Sequence, residues 1–169
     1  VSHRNPSGID NTCATYGGLI WFERNLKDGV NKVEHLTLEK PVEMVLGDTG
    51  VESNTGEVVA DVRRRWKKNK RKYQEFFSRY RELAFNAREA LLDYNLDRLG
   101  ELMTGNHRLL GDIEVSCREL DFLVEVALDA GALGAKLTGG GRGGLLLALT
   151  PGRELQEAVS TAMEREGYR

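Results

Sequence analysis

Two stretches of this 169-residue chain hold residue types whose spacing could do chemistry. The first is Gly139-Gly140-Gly141-Arg142-Gly143-Gly144, five glycines in six residues. Glycine weakens strand interiors, so a packed run marks a tight turn or a close backbone approach to something bulky. Consecutive N–H groups in such a turn form a concave nest for an anion, typically phosphate. Lys136 and Arg142 add positive charge beside it. The spacing is not that of a P-loop, because Lys136 precedes the glycines and no Gly-Lys-Ser/Thr follows. On these residues alone, an anion site and a plain flexible hairpin both fit. The second stretch is Pro6-Ser7-Gly8-Ile9-Asp10-Asn11, opening into Thr12-Cys13-Ala14-Thr15-Tyr16. If a helix starts here, Ser7 is a good cap and Asp10 lies in the positive first turn, which favours its ionised form. Such a carboxylate can orient or deprotonate an attacking hydroxyl, or simply stabilise the helix start.

The elements that must position these groups fall into three zones. Residues 18–24 and 32–38 read as strands around Lys27-Asp28-Gly29, a hairpin-turn signal. Residues 42–46 read as a third strand running into the turn Gly47-Asp48-Thr49-Gly50. Residues 55–130 read as helical, with apolar residues at three- and four-residue steps: Val58, Val62 and Trp66, then Tyr73, Phe76, Tyr80 and Leu83, later Leu96, Leu99 and Met103, and finally Leu120, Leu123, Val124 and Ala127. Ser116 with Glu119 reads as a capping box for the last of these helices. Residues 133–138 and 145–149 read as strands on either side of the glycine run, and Pro151 as the first turn of a helix over 154–166. The sum is an α+β fold with a mostly antiparallel sheet.

Composition narrows the function classes. Hydrophobic residues make up 40% and charged residues 30% of the chain, and the formal net charge is −2. That balance suits a soluble globular protein and gives no reason to expect a nucleic-acid or membrane-surface partner. The apolar run at 145–149 is too short to span a bilayer. Two distant cysteines, Cys13 and Cys117, point to reduced thiols and a cytoplasmic location. No metal-ligand cluster is legible. The basic run 63–72 lies in a helical stretch flanked by acidic residues and reads as a solvated face, His107 as a packing or capping residue, and Trp21, Phe22 and Trp66 as core or interface.

Taken together, the two motifs resemble a known family. Asn5-Pro6-Ser7-Gly8-Ile9-Asp10-Asn11 with Ala14-Thr15-Tyr16-Gly17-Gly18 resembles the second signature of mevalonate kinases, and Lys136-Leu137-Thr138 with the glycine run resembles the third. Asp48-Thr49-Gly50, Thr55, Asn106-His107 and Val115-Ser116 stand between them in the family's order. Galactokinases, in the same superfamily of small-molecule kinases (GHMP), place a different sequence around their carboxylate. The resemblance implies residues 41–169 as a ferredoxin-like GHMP kinase C-terminal domain. It implies residues 1–40 as the tail of an N-terminal, ribosomal-protein-S5-like domain, contributing its last helix and β-hairpin. It implies ATP- and Mg²⁺-dependent phosphorylation of the 5-hydroxyl of mevalonate, in isoprenoid synthesis. Asp10 would be the catalytic aspartate, Ser7, Gly8, Thr55 and Gly140 would line the substrate pocket, and Lys136, Gly139, Gly141, Arg142 and Gly143 would support the phosphates.

The same resemblance implies parts that lie outside these residues: a Pro/Gly/Ser-rich ATP loop, a lysine near the aspartate, and a Mg²⁺-ligating glutamate upstream of His3. A chain opening on Val1 and a dense turn therefore reads as cut from something longer, and as inactive alone. One half of a split kinase, or a non-catalytic small-molecule module, are the alternatives. Self-association along the hairpin 18–38 is a further expectation. Arg4, Glu114 and Arg142 stand where the family usually has glycine. Arg142 would either strengthen anion binding or obstruct the loop.

Overall fold

A computed structural model describes residues 7–25 and 29–169. Residues 4–6 of the first motif, and Lys27 and Asp28 of the hairpin turn, lie outside the described residues. The chain divides into two compact units, Val1–Lys40 and Pro41–Arg169.

In the first unit, helix α1 (Ile9–Tyr16) is followed by strands β1 (Leu19–Glu23) and β2 (Lys32–Leu36), which pair antiparallel with Leu19 opposite Leu36. Its side chains bury little: Tyr16 meets His35 edge-to-face at 5.5 Å, and no described residue here is fully buried.

The second unit contains β3 (Met44–Asp48), α2 (Thr55–Lys68), α3 (Lys70–Leu92), α4 (Leu96–Asp112), α5 (Arg118–Asp129), β4 (Gly134–Leu137), β5 (Leu145–Leu149) and α6 (Arg153–Arg165). The three strands form an antiparallel sheet in the order β3-β5-β4. Alternation along β5 turns Leu146 and Ala148 toward one core and Leu147 and Leu149 toward another. The larger core joins the sheet to α5 and α6 through Leu120, Leu123, Leu137, Val159 and Met163, all at 2% exposure or less. Each such leucine contributes about 1.5–3 kcal/mol relative to an exposed one. The second core packs α3 and α4 through Ala90, Leu99, Leu102 and Met103 against Leu149. Helix α4 reaches β4 at Gly100, where any Cβ would collide with the Leu133 carbonyl. That close approach sets the height of β4, and so of the loop that follows it.

Several local expectations are revised. Gly47 and Asp48 belong to β3, because the ladder to β5 runs on through them to Leu146 and Leu145. The helical zone breaks at Asn69, whose backbone leaves helical geometry and whose Oδ1 caps α3 by accepting from Lys72 N. Ser116 caps nothing: Cys117, extended at φ −144°, is the N-cap of α5, and the Ser116 hydroxyl donates to Asp121 instead. Pro151 precedes Gly152, the N-cap of α6, rather than sitting in its first turn. Trp66 is 39% exposed and so is no core residue.

Candidate functional site

At the start of α1, Gly8 is the N-cap, in the left-handed region at φ 87°. Ser7 stands one residue earlier than a cap, yet its Oγ still accepts from Ile9 N at 3.3 Å. Asp10 is exposed in the first turn of a helix that buries none of its residues. Ser7, Gly8 and Asp10 are therefore brought together on one solvent-facing turn of the first unit.

The second unit builds a cleft of about 560 Å³ between the glycine loop and the turn that leads into α2. Its walls include Val51, Ser53, Thr55, Thr138, Gly140 and Gly143. Three bonds stitch the walls: Thr49 N and Oγ1 donate to Gly144 O at 3.0 and 2.8 Å, and Gly144 N donates to Val51 O at 2.9 Å. Ser53 Oγ donates to Gly141 O. Gly141 and Gly143 have φ of 77° and 135°, and a Cβ on either would strike the carbonyl of Val115 or Val51. Only glycine fits both the conformation and the space.

The amides of Gly139, Gly140, Gly141 and Gly143 donate to no acceptor among the described residues. All four residues line the cleft. Helix α2 begins on the same cleft at Thr55, capped by Asn54 Oδ1, which accepts from Gly56 N at 3.0 Å and Glu57 N at 3.3 Å. A concave set of open N–H groups beside a helix N-terminus favours negative charge. Gly140 lies directly on Thr55, so that a Cβ there would meet the threonine hydroxyl.

Arg142 turns its guanidinium to protein partners rather than into the cleft. It occupies the left-handed region at φ 56°, and its N donates to Val115 O at 2.8 Å. Its Nη1 pairs with Asp61 at 2.6 Å and its Nε donates to Glu114 O at 3.0 Å. Asp61 also accepts from Arg64. Its carboxyl is held below the ordinary 3.8, chiefly by the Arg142 hydrogen bond and against the raising effect of burial. Glu114, also left-handed at φ 60°, pairs with Arg65 at 3.0 Å.

Lys136 does not line the cleft; its Nζ donates to Leu137 O at 2.8 Å, and burial pushes its amine below the ordinary 10.5. At the root of the loop, His107 Nδ1 accepts from Leu137 N at 3.2 Å, which leaves the proton on Nε2, 3.0 Å from Asp121 Oδ1. Burial lowers the imidazole below 6.5, and Asp121 partly offsets this. His107 thus ties α4, β4 and α5 together just before the glycines.

Among the described residues, no group of three or more His, Cys, Asp or Glu side chains could hold a metal ion. The donor set of the cleft fits a phosphate-bearing group and does not supply a Mg²⁺ centre. Both cysteines are free thiols, and no helix among the described residues is long and apolar enough to cross a membrane. The cleft thus collects Thr55, Thr138 and the loop glycines singled out in the sequence, adds Ser53, which the sequence did not single out, and leaves Lys136 outside its lining, while Arg142 turns to Asp61, likewise not singled out.

A sheet-and-helix unit with this glycine loop defines a class of protein. Residues 87–169 match the family model described as GHMP kinases C terminal, and the second unit carries that kinase C-terminal fold. The chain's relatives are mevalonate kinases: it is 39% identical over 167 residues to the mevalonate kinase of Pyrococcus horikoshii, covering 95% of this chain and 47% of that protein. The crystal structure of L. major mevalonate kinase in complex with R-mevalonate superposes with a TM-score of 0.90 at 38% identity, over 97% of this chain and 50% of that one. Streptococcus pneumoniae phosphomevalonate kinase in complex with phosphomevalonate and AMPPNP shares the fold, with a TM-score of 0.80 at 17% identity, covering 97% of this chain and 54% of that one. The chain spans about half the length of the curated relatives it matches, 47% of the first.

Proposed function

We propose that this chain provides the phosphate-cradling loop and the proton-accepting carboxylate of a mevalonate kinase, which transfers the γ-phosphoryl group of ATP to the 5-hydroxyl of mevalonate. The observation that carries the reading is the set of open amides on Gly139, Gly140, Gly141 and Gly143 around a cleft begun by α2. In phosphoryl transfer the protein mostly positions groups and stabilises charge. The mevalonate hydroxyl oxygen bonds to the γ-phosphorus, the bond from that phosphorus to the bridging oxygen of ADP breaks, and the hydroxyl proton passes to Asp10. The loop amides hold phosphate oxygens, Ser7 and Gly8 in the first unit and Thr55 and Gly140 in the second are each assigned to mevalonate, and no step is assigned to a metal.

In this reading the first unit is the tail of an N-terminal kinase domain, with its last helix and hairpin, and the second is the C-terminal domain. The reaction belongs to a cytoplasmic isoprenoid route. The hairpin carries exposed Leu19 and Val30, and is the edge along which copies would associate. The donors for the metal and the remaining phosphate oxygens then come from outside these residues, and the purified chain alone is expected to show no turnover with mevalonate and Mg-ATP. Turnover at even about 1 s⁻¹, the low end of ordinary kinase rates, would overturn that expectation. The cradle itself is tested by following backbone amide resonances while titrating tripolyphosphate. Shifts confined to residues 139–144 and the start of α2 support the reading, and unchanged resonances at millimolar ligand reject it.

A further inference from the structure

The two non-glycine residues held at φ 56° and 60° near the loop, Arg142 and Glu114, are bound to each other and to α2. Left-handed backbone is unfavourable for a residue with a Cβ, so the surroundings must hold it there. Arg142 spans two acceptors on different elements, the Asp61 carboxylate on α2 at 2.6 Å and the Glu114 carbonyl in the turn before α5 at 3.0 Å. Arg65, one helical turn beyond Asp61, returns from α2 to the same turn through Glu114 Oε2 at 3.0 Å and Ile113 O at 2.9 Å. The side chains of Asp61 and Arg142 are only 21% and 30% exposed, so their pair is partly shielded from solvent, whereas Glu114 opposite Arg65 is 68% exposed. Between them the main chain adds Arg142 N to Val115 O at 2.8 Å. The glycine loop is thus gripped at its one residue able to reach outside it.

We propose that Arg142 is a positioning residue whose pairing with Asp61, braced by Arg65 and Glu114, clamps the glycine loop in the conformation that presents its open amides. The proposal rests on the phosphate-cradling reading, and it concerns loop order rather than direct contact with an anion. The clamp exchanges the free rotation of five glycines for a fixed geometry before ligand arrives, so affinity is gained by preorganisation.

Amide hydrogen exchange on the full chain tests it, comparing the wild type with Arg142→Gly, Asp61→Asn, the double variant and Arg142→Lys. The expected result is exchange at the two bonded loop amides, those of residues 142 and 144, raised at least about tenfold in Arg142→Gly and Asp61→Asn, with the sheet and α5 unchanged. The double variant should match the singles rather than multiply them, and Arg142→Lys, which keeps the charge but not both contacts, should recover part of the protection. Raising the salt to about 1 M should speed loop exchange in the wild type and, less, in Arg142→Lys, but not in Arg142→Gly or Asp61→Asn, which have lost the pair between residues 142 and 61. Unchanged loop exchange in Arg142→Gly, or a rise spread evenly over the whole unit, overturns the clamp. A parallel titration with tripolyphosphate separates the two ideas. Weaker binding in Arg142→Gly supports the clamp, and equal binding in both proteins overturns its functional part. Absence of binding to the wild type rejects the cradle while the exchange result still decides the clamp.

Discussion

Around residues 139–144 the backbone is held from three sides, by the 49–53 turn, by α2 and by the turn before α5. The start of α1, which carries Asp10, is exposed along most of its length and packs no buried side chain. Both regions are assigned to the same chemistry, yet one is built by its own unit and the other is only displayed by its unit. A phosphate cradle has to exist before its ligand, since its donors are backbone groups that disorder would scatter. A single carboxylate asks only for a helix turn to stand on. The difference predicts that substitutions in the loop act on stability and order, whereas substitutions at Asp10 act on chemistry alone.

The sharpest contrast sets Gly141→Ala against Asp10→Ala in urea unfolding of the chain. At Gly141 a methyl group meets the Val115 carbonyl from a backbone at φ 77°. Backbone strain and overpacking together should cost about 3 kcal/mol. Asp10→Ala, on an exposed turn, should stay within about 0.5 kcal/mol. Similar losses for both would break the comparison, because the carboxylate would then be structural.

Next in size comes the histidine beneath the loop. His107→Ala removes both an acceptor for Leu137 N and a donor to Asp121, and should cost about 2 kcal/mol near pH 8. The wild type should also show a pH dependence that the variant lacks. Burial keeps the native imidazole neutral below 6.5, so the unfolded chain binds the proton first. Stability is then complete above pH 6.5 and is lost as the pH falls through the lower native value. Protonation would also put a hydrogen on Nδ1 facing the Leu137 N–H. Unfolding curves from pH 8 to pH 5 check this, and a flat profile in the wild type would show that His107 does not carry the root of the loop.

A smaller effect is expected at Gly140, where a methyl group would meet the Thr55 hydroxyl while the backbone needs no unusual φ. Gly140→Ala should turn the Thr55 side chain to another rotamer and cost about 1 kcal/mol. Tripolyphosphate binding should persist while the Thr55 resonances move. Loss of tripolyphosphate binding would mean that this position serves the phosphates rather than the space beside them.

The contrast also explains what could be read in advance. Period-2 and period-3.6 patterns depend on near neighbours, so β1, β2, β5 and α3 to α5 were legible, as were the glycine loop and the helix that begins at Ile9. What escaped depends on residues far apart in the chain. Nothing local joins Asp61 to Arg142, 81 residues on, or Ser53 to Gly141, 88 residues on. Ser116 missed by one residue because Cys117 takes the N-cap position of α5, leaving the Ser116 hydroxyl to donate to Asp121. Ser7 missed by one residue because Gly8 could take the left-handed N-cap conformation. The cluster Glu52-Ser53-Asn54-Thr55 before a helix was a usable signal for the second wall of the cleft.

The smallest predicted change probes whether the dense packing of the second unit extends past the loop. Thr150 follows β5 and is fully buried; its N donates to Glu43 O at 3.1 Å, while its Oγ1 has no partner among the described residues. A buried hydroxyl without a partner costs free energy, and valine keeps the shape while removing the oxygen. Thr150→Val should therefore stabilise the chain by about 1 kcal/mol in urea unfolding, with loop exchange unaltered. A gain confines the unit's unmet polar demand to the open amides of the cleft, where a ligand can answer it. A loss of similar size would instead mean that the hydroxyl is satisfied in solution, and that hydrogen bonding reaches into the core behind β5 as closely as it does around the glycines.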